Sequence, residues 1–549
     1  MEDAPGSEQA LKLAHPSGAT LTPNMTRPLF HVFLLGACSA MLSSTAWGAG
    51  CEAVKGLRLD HTTIAQAEPV AAGKITTPYG DSIPNLPAFC RVAGVIRPTS
   101  DSAIRFEVWL PASGWNGRFL GVGNGGFAGS INYGQMASSL RLGYATASTD
   151  TGHEGGAEDA SWAYRHPEKI ADYGFRGLHL STLRAKEIVA AVYGRNAEKA
   201  YFDACSNGGR EALIEAQRFP EDYDGILGGA PANNWTHMLS SGIDVTQAEI
   251  GDPAGYISSM KLPAINRAAL AACDAGDGVK DGIVSDPASC KFDPAVLLCH
   301  GEDSLSCLTA PQVKSLTKLY NGGSTRDGQS LFPGYVPGSE LPGWPSWVTG
   351  GGPGGGSGGR YAENYFRYMV LTDPTWSILT ADPATMLEKA QSATAKDLDA
   401  TSPDLRGFTA RGGKLMMYHG WNDAAISPWN TIAYWKSVRE TMGASEEDAA
   451  VRLYMVPGME HCANGPGPNS FGQLGLPAGD GPGSGALEIL RGWVEKGTAP
   501  GPVLAGKYVG VGKAATEVMK RPLCPYPQRA VYNGSGDPAA ASSFTCRAE

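Results

Sequence analysis

An α/β architecture built on a mostly parallel sheet is the fold class this chain predicts, and three observations carry the prediction. Strand-like and helix-like segments alternate between about residues 90 and 235 and resume after about residue 402, the rhythm that lays helices on the faces of a parallel sheet. A serine stands where one strand turns sharply into a helix. An aspartate and a histidine follow two later strands, in that chain order.

The elements read as follows. Residues 104–110 alternate apolar with polar over their first five positions and stop at Pro111, a strand with one face toward the core and proline ending its ladder. Residues 119–123 read as a second strand running into Asn124-Gly125-Gly126, and residues 144–148 as a third. Residues 178–193 put Leu180, Leu183, Ile188 and Val192 on one side at helical spacing. The short apolar run 200–204 precedes Cys205-Ser206-Asn207-Gly208-Gly209, and a helix is expected from 210 to 219. Further on, residues 414–418 form a strand ending at His419-Gly420, and 451–456 another ending at Pro457.

Between about 235 and 402 the texture changes. Cys273, Cys290, Cys299 and Cys307 lie close together, and 350–359 is a run of glycines broken only by Pro353 and Ser357. Such a run reads as a flexible, exposed loop. The expected organisation is an N-terminal extension and signal peptide over 1–50, a core in two parts over 51–234 and 403–549, and an inserted lid domain over 235–402.

Bulk properties narrow the function classes. Hydrophobic content of 42% and charged content of 18% are those of a globular protein. A net charge of −10 with no long basic run argues against a nucleic-acid partner. No apolar run of roughly 18 residues follows residue 50, so no membrane-spanning segment is expected there. Met25-Thr26-Arg27, the largely apolar stretch 29–42 and Ala46-Trp47-Gly48 follow the order of an export signal. A secreted or periplasmic protein is the expectation; a lipoprotein anchored at Cys38 is the alternative, because Leu35-Gly36-Ala37-Cys38 resembles an acylation box. Ten of the 11 cysteines follow Cys38, and an even number in an exported chain points to disulfides. Their connectivity stays open at this level, and the lack of any CxxC pair weakens a zinc or redox reading.

The chemistry centres on a mirrored pair, Cys205-Ser206 and His461-Cys462. A Cys205–Cys462 bridge would hold those alpha carbons roughly 5.5–6 Å apart and bring Ser206 and His461 together, as a serine nucleophile and its general base require. Around Ser206 the nucleophile-elbow pattern G-x-S-x-G is met with Ala204 in place of the first glycine. Asp423 is the residue to orient His461, and Ser206, Asp423, His461 is the triad order of α/β-hydrolases. The backbone N–H of Asn207 and the loop 123–126 are the candidate oxyanion donors. Asp274, Asp277 and Asp281, interleaved with glycines, suit Ca²⁺ with its roughly six to eight oxygen ligands, although the spacing is not that of an EF-hand; a solvated acidic turn is the other reading.

On these residues the chain resembles the tannase and feruloyl esterase family, which also contains the bacterial mono(2-hydroxyethyl) terephthalate hydrolases. The resemblance rests on the segments 205–211, 419–423, 458–462, 273–283 and 521–527. It implies an α/β-hydrolase core with a large inserted lid domain, the triad Ser206, Asp423 and His461, and oxyanion donors at Gly125 and Asn207. It also implies bridges Cys51–Cys90, Cys273–Cys290, Cys299–Cys307 and Cys524–Cys546 beside Cys205–Cys462. A structural Ca²⁺ in the lid would take Asp274, Asp277 and Asp281 with the carbonyls of Val279 and Ile283. Trp347, His419 and Ile426 are the implied substrate contacts. Three features depart from the terephthalate enzymes. Arg360 and Arg367 match their carboxylate-holding lid arginine only loosely, Ile426 stands where an aromatic residue lines their pocket, and Asn207 replaces a glutamate. The expected activity is therefore that of a secreted serine esterase taking feruloyl or galloyl esters. A terephthalate monoester hydrolase and a non-catalytic polyphenol- or carbohydrate-binding protein are the alternatives.

Overall fold

A computed structural model describes residues 50–479, 483–510 and 515–548; the expected signal segment and Cys38 lie outside the described residues. Its centre is a nine-stranded sheet. The strands are β1 (Thr62–Val70), β2 (Phe89–Ile96), β3 (Ile104–Pro111), β4 (Arg118–Val122), β5 (Ala145–Thr149), β6 (Lys199–Cys205), β7 (Gly225–Gly229), β8 (Lys414–Gly420) and β9 (Val451–Val456). They lie in the order β1-β2-β3-β5-β4-β6-β7-β8-β9. Pairing is antiparallel from β1 to β5 and parallel from β5 through β9.

Burial explains the division. Along β2 buried and half-buried residues alternate, as an antiparallel strand with one wetter face should. β6 is buried beyond its first residue and β7 throughout, because helices cover both faces of the parallel half. Most of that half was legible as short apolar runs; β7 was not, because three of its five residues are glycine. The β1–β2 hairpin was not, since β1 is largely exposed and carries little hydrophobic pattern.

Eight helices serve the argument: α1 (Tyr133–Arg141), α2 (Gly177–Tyr193), α3 (Asn207–Arg218), α4 (Trp235–Ile250), α5 (Ser357–Asn364), α6 (Pro383–Leu398), α7 (Pro428–Met442) and α8 (Ala486–Lys496). α3 begins three residues earlier than the sequence pattern suggested. Ser206 makes the whole turn by itself, at φ 69° and ψ −125°, so Asn207-Gly208-Gly209 already form helix. A Cβ on Gly208 would stand 2.6 Å from the Ala204 Cβ; the glycine lets α3 begin that close to β6.

The segment 235–402 covers one end of the sheet, with α4 packed against α5 and α6. Its glycine run is loop over 350–356, with 351, 353 and 354 exposed as expected, and departs from that reading only at its end. From Ser357 onward it is α5, and Gly358 and Gly359 face the central cavity. A Cβ at Gly359 would meet the Thr246 hydroxyl at 2.9 Å. The glycines here permit close helix–helix approach. All five expected disulfides are present: Cys51–Cys90, Cys205–Cys462, Cys273–Cys290, Cys299–Cys307 and Cys524–Cys546. Among the described residues no helix is long and apolar enough to cross a membrane.

Candidate active site

Ligands of open α/β sheets gather at the carboxyl ends of the parallel strands, and the expected residues lie there. Ser206 follows β6, Gly125 follows β4, Asp423 follows β8 and His461 follows β9. The His461 Nε2 lies 2.8 Å from the Ser206 Oγ, and its Nδ1 lies 2.8 Å from the Asp423 Oδ2. A carboxylate only accepts, so Nδ1 carries the ring hydrogen and Nε2 is left to accept the serine proton.

Asp423 is fully buried. Its Oδ1 accepts the N–H groups of Ala425 (2.8 Å) and Ile426 (2.9 Å). Its Oδ2 accepts from His419 Nε2 (3.1 Å) as well as from His461. Burial by itself pushes the carboxyl up; the His461 charge and the hydrogen bonds from both histidines outweigh it and hold Asp423 well below the usual carboxylate range. His419, expected at the substrate, is elsewhere. It is fully buried behind Asp423, with Nε2 also 3.0 Å from the Ile426 carbonyl and Nδ1 2.7 Å from the Thr431 hydroxyl. The carbonyl partner requires the hydrogen on Nε2, so His419 orients the acid. Its position one residue before the end of β8 turns it inward, which the sequence pattern alone could not distinguish from pointing at substrate.

The Cys205–Cys462 bridge joins alpha carbons 5.9 Å apart. Ser206 and Cys462 both hold positive φ, 69° and 66°, conformations that cost non-glycine residues energy and cluster at functional sites. The bridge ties one such turn to the other.

The oxyanion side is built from backbone. Asn207 opens α3, where the helix dipole favours negative charge. Its side chain is turned away from the cavity: Oδ1 accepts from the Tyr173 hydroxyl (2.9 Å) and Arg210 Nε (2.8 Å), and Nδ2 donates to Glu211 Oε1 (3.1 Å). Glu211 Oε2 in turn accepts the N–H of Asn124 at 3.0 Å. One buried carboxyl thus ties the loop carrying Gly125 to the helix carrying Asn207. Burial pushes Glu211 up to about 7. Sequence reasoning passed over it; its only signal was an acidic residue four positions after Asn207 on a helix that is buried on all sides.

These groups open on a cavity of about 700 Å³. Ser206, His461, Gly125, Asn207, Trp347 and Ile426 all line it. Trp347 meets His461 edge to face, ring centroids 5.3 Å apart, and stacks on Tyr361 at 5.9 Å. Arg360 is paired with Glu158 (2.6 Å) and Arg367 with Glu363 (2.8 Å), and neither is part of the cavity wall.

Comparison with known proteins decides the family. Residues 90–547 match the model described as tannase and feruloyl esterase. The chain belongs to the tannase and feruloyl esterase family. Within this family, an uncharacterised esterase of Xanthomonas campestris pv. campestris is 43% identical over 93% of each chain. A probable feruloyl esterase B-1 of Aspergillus oryzae is 34% identical over 85% of each. The crystal structure of feruloyl esterase B from A. oryzae superposes with a TM-score of 0.85 at 32% identity, covering 91% of this chain and all of that one. Tannin acyl hydrolase from Aspergillus niger, 24% identical with a TM-score of 0.72 over 92% of this chain and 95% of its own, shares the fold. The chain is thus an esterase of the α/β-hydrolase fold, with five disulfide bridges.

The loop expected to hold Ca²⁺ offers a set of oxygen donors. Asp274 accepts the N–H groups of Asp281 (3.3 Å), Gly282 (3.0 Å) and Ile283 (3.2 Å), curling the loop around its carboxylate. Asp277 Oδ1 accepts the Val279 N–H at 3.0 Å, while its Oδ2 is buried without a partner. Asp281 is engaged by Arg521. An orphaned carboxylate oxygen among hard oxygen donors fits Ca²⁺.

Proposed function

We propose that the protein is a serine esterase that cleaves hydroxycinnamate or galloyl esters through an acyl-enzyme. The observation that carries the reading is the hydrogen-bonded chain Ser206–His461–Asp423 opening on a largely apolar cavity. Ser206 Oγ attacks the ester carbonyl carbon as its proton passes to His461 Nε2. Asp423 stabilises the imidazolium, and the N–H groups of Gly125 and Asn207 hold the oxyanion. Collapse of the intermediate expels the alcohol, which takes the proton from His461 and leaves the acid esterified to Ser206. Water then repeats the sequence and releases the acid.

The substrate class is supported by kinship with feruloyl esterase B at 32% identity and by the aromatic wall of Trp347 and Tyr361. A terephthalate monoester would bring a second carboxylate, and Arg360 and Arg367 are both engaged outside the cavity wall. A Ser206→Ala variant is expected to lose about 10⁴-fold or more in kcat on methyl ferulate and methyl gallate, and a fluorophosphonate probe to label the unsubstituted protein at Ser206. Full activity of the variant would end the reading, and a rate on a terephthalate monoester above both would redirect it.

We also propose that the loop 274–283 holds a structural Ca²⁺, through Asp274, Asp277 and Asp281 and the carbonyls of Val279 and Ile283. When bound, the ion supplies charge compensation to buried carboxylates and stiffens the lid. Chelation should lower the thermal midpoint and added Ca²⁺ restore it; an unchanged midpoint would refute the site.

A further inference from the structure

Helix α4 lays one face along the cavity. Trp235, Leu239, Gly242, Val245, Thr246 and Glu249 recur at three- and four-residue spacing, and all of them line it. All but Glu249 are apolar or neutral. Glu249 is only 5% exposed, and its Oε1 has no hydrogen-bond partner. The lid side of the same cavity includes Leu319, Tyr335 and Val348. Tyr335 and Glu249 thus share one cavity with Ser206 and His461.

A buried carboxyl oxygen without a partner costs stability, and Glu249 differs from other such acids in facing the cavity that holds Ser206 and His461. We propose that Glu249 is a specificity-determining residue that hydrogen-bonds a hydroxyl group of the bound ester. The proposal rests on the esterase reading for the identity of the ligand. Burial pushes the carboxyl up to about 8, and no other group contributes to the shift. Near neutral pH it is therefore largely protonated, with one O–H to donate and lone pairs to accept. A ligand hydroxyl has the same dual character and completes both. A ligand carboxylate does not, since it would bring charge into an apolar wall that offers no cation. The hydroxyl has two chemical sources, the ring of an aromatic acid or the alcohol portion of the ester.

Matched ester pairs separate the sources. Methyl 4-hydroxycinnamate against methyl cinnamate differs in one ring hydroxyl; 2-hydroxyethyl cinnamate against propyl cinnamate differs at an alcohol hydroxyl. Glu249→Leu is expected to lower kcat/KM about tenfold or more on the hydroxylated member of one pair and to leave its hydroxyl-free partner unchanged. Glu249→Gln, which keeps a neutral donor and acceptor, is expected to retain the preference. If Glu249→Leu changes both members of both pairs by the same factor, the proposal is overturned. Binding of the same esters to Ser206→Ala, with and without Glu249→Leu, reads the preference without turnover. A preference lost there while the unsubstituted protein cleaves none of the esters would uphold Glu249 and sink the esterase reading.

Discussion

On the sheet side of the cavity, Asp423 accepts hydrogen bonds from His461, His419, Ala425 and Ile426. On the lid side, Glu249 keeps an oxygen with none. Both are buried carboxyl groups lining or backing one cavity, yet burial leaves them in opposite states. Asp423 stays ionised because hydrogen-bond donors surround it, whereas burial with no donor to offset it keeps the proton on Glu249. The contrast teaches a division of labour. The wall that performs chemistry is preorganised, with its polar groups already paired, so that little rearranges as charge develops. On the proposal made for Glu249, the opposite wall leaves a group for the ligand to satisfy.

The largest effect that would test this contrast is expected at the saturated wall. Asp423→Asn preserves the shape of the acid but presents an amide to two ring nitrogens that need an acceptor. A kcat loss of about 10³–10⁴-fold is expected for the folded variant; a loss below about tenfold would mean that His461 does not depend on this carboxylate. The next effect concerns the staple. Replacing both Cys205 and Cys462 by serine removes a bridge spanning 257 positions, which the chain-entropy model values at roughly 5 kcal/mol. A misplacement near 1 Å between Ser206 and His461 would lower kcat about 10²-fold. If the double variant, still folded, keeps its full kcat and only its unfolding midpoint falls, the bridge serves the fold and not the alignment. The smallest effect on rate is expected from chelating the loop 274–283: the midpoint should move while kcat well below it stays unchanged.

Much of the catalytic wall was legible in the sequence. Strand ends can be located from apolar runs and their terminating Pro457 or Gly420, and the order Ser206, Asp423, His461 needs no coordinates. The mirrored cysteines announced proximity between residues far apart in the chain. His419 was misplaced because one position along β8 reverses the direction of a side chain, and no local signal says which side holds the substrate. Glu211 and Glu249 went unnoticed for a related reason: an acidic residue on a helix normally faces water, and only packing from every side turns it into a buried group. The run 350–359 misled differently. Its first residues are the loop they looked like, but at its end the missing Cβ of Gly359 lets α5 lie against Thr246 of α4.

By itself the sequence determined the family, the α/β-hydrolase class and the candidate catalytic residues, because these depend on short-range patterns: strand runs, a tight turn at Ser206 and cysteines beside two reactive side chains. Only the tertiary structure decided which acids lie inside and what surrounds them. That difference follows from the physics of burial. A carboxyl's charge and function depend on the dielectric and the donors around it, and some of those neighbours come from other segments, as Asn124 does for Glu211 and His461 for Asp423.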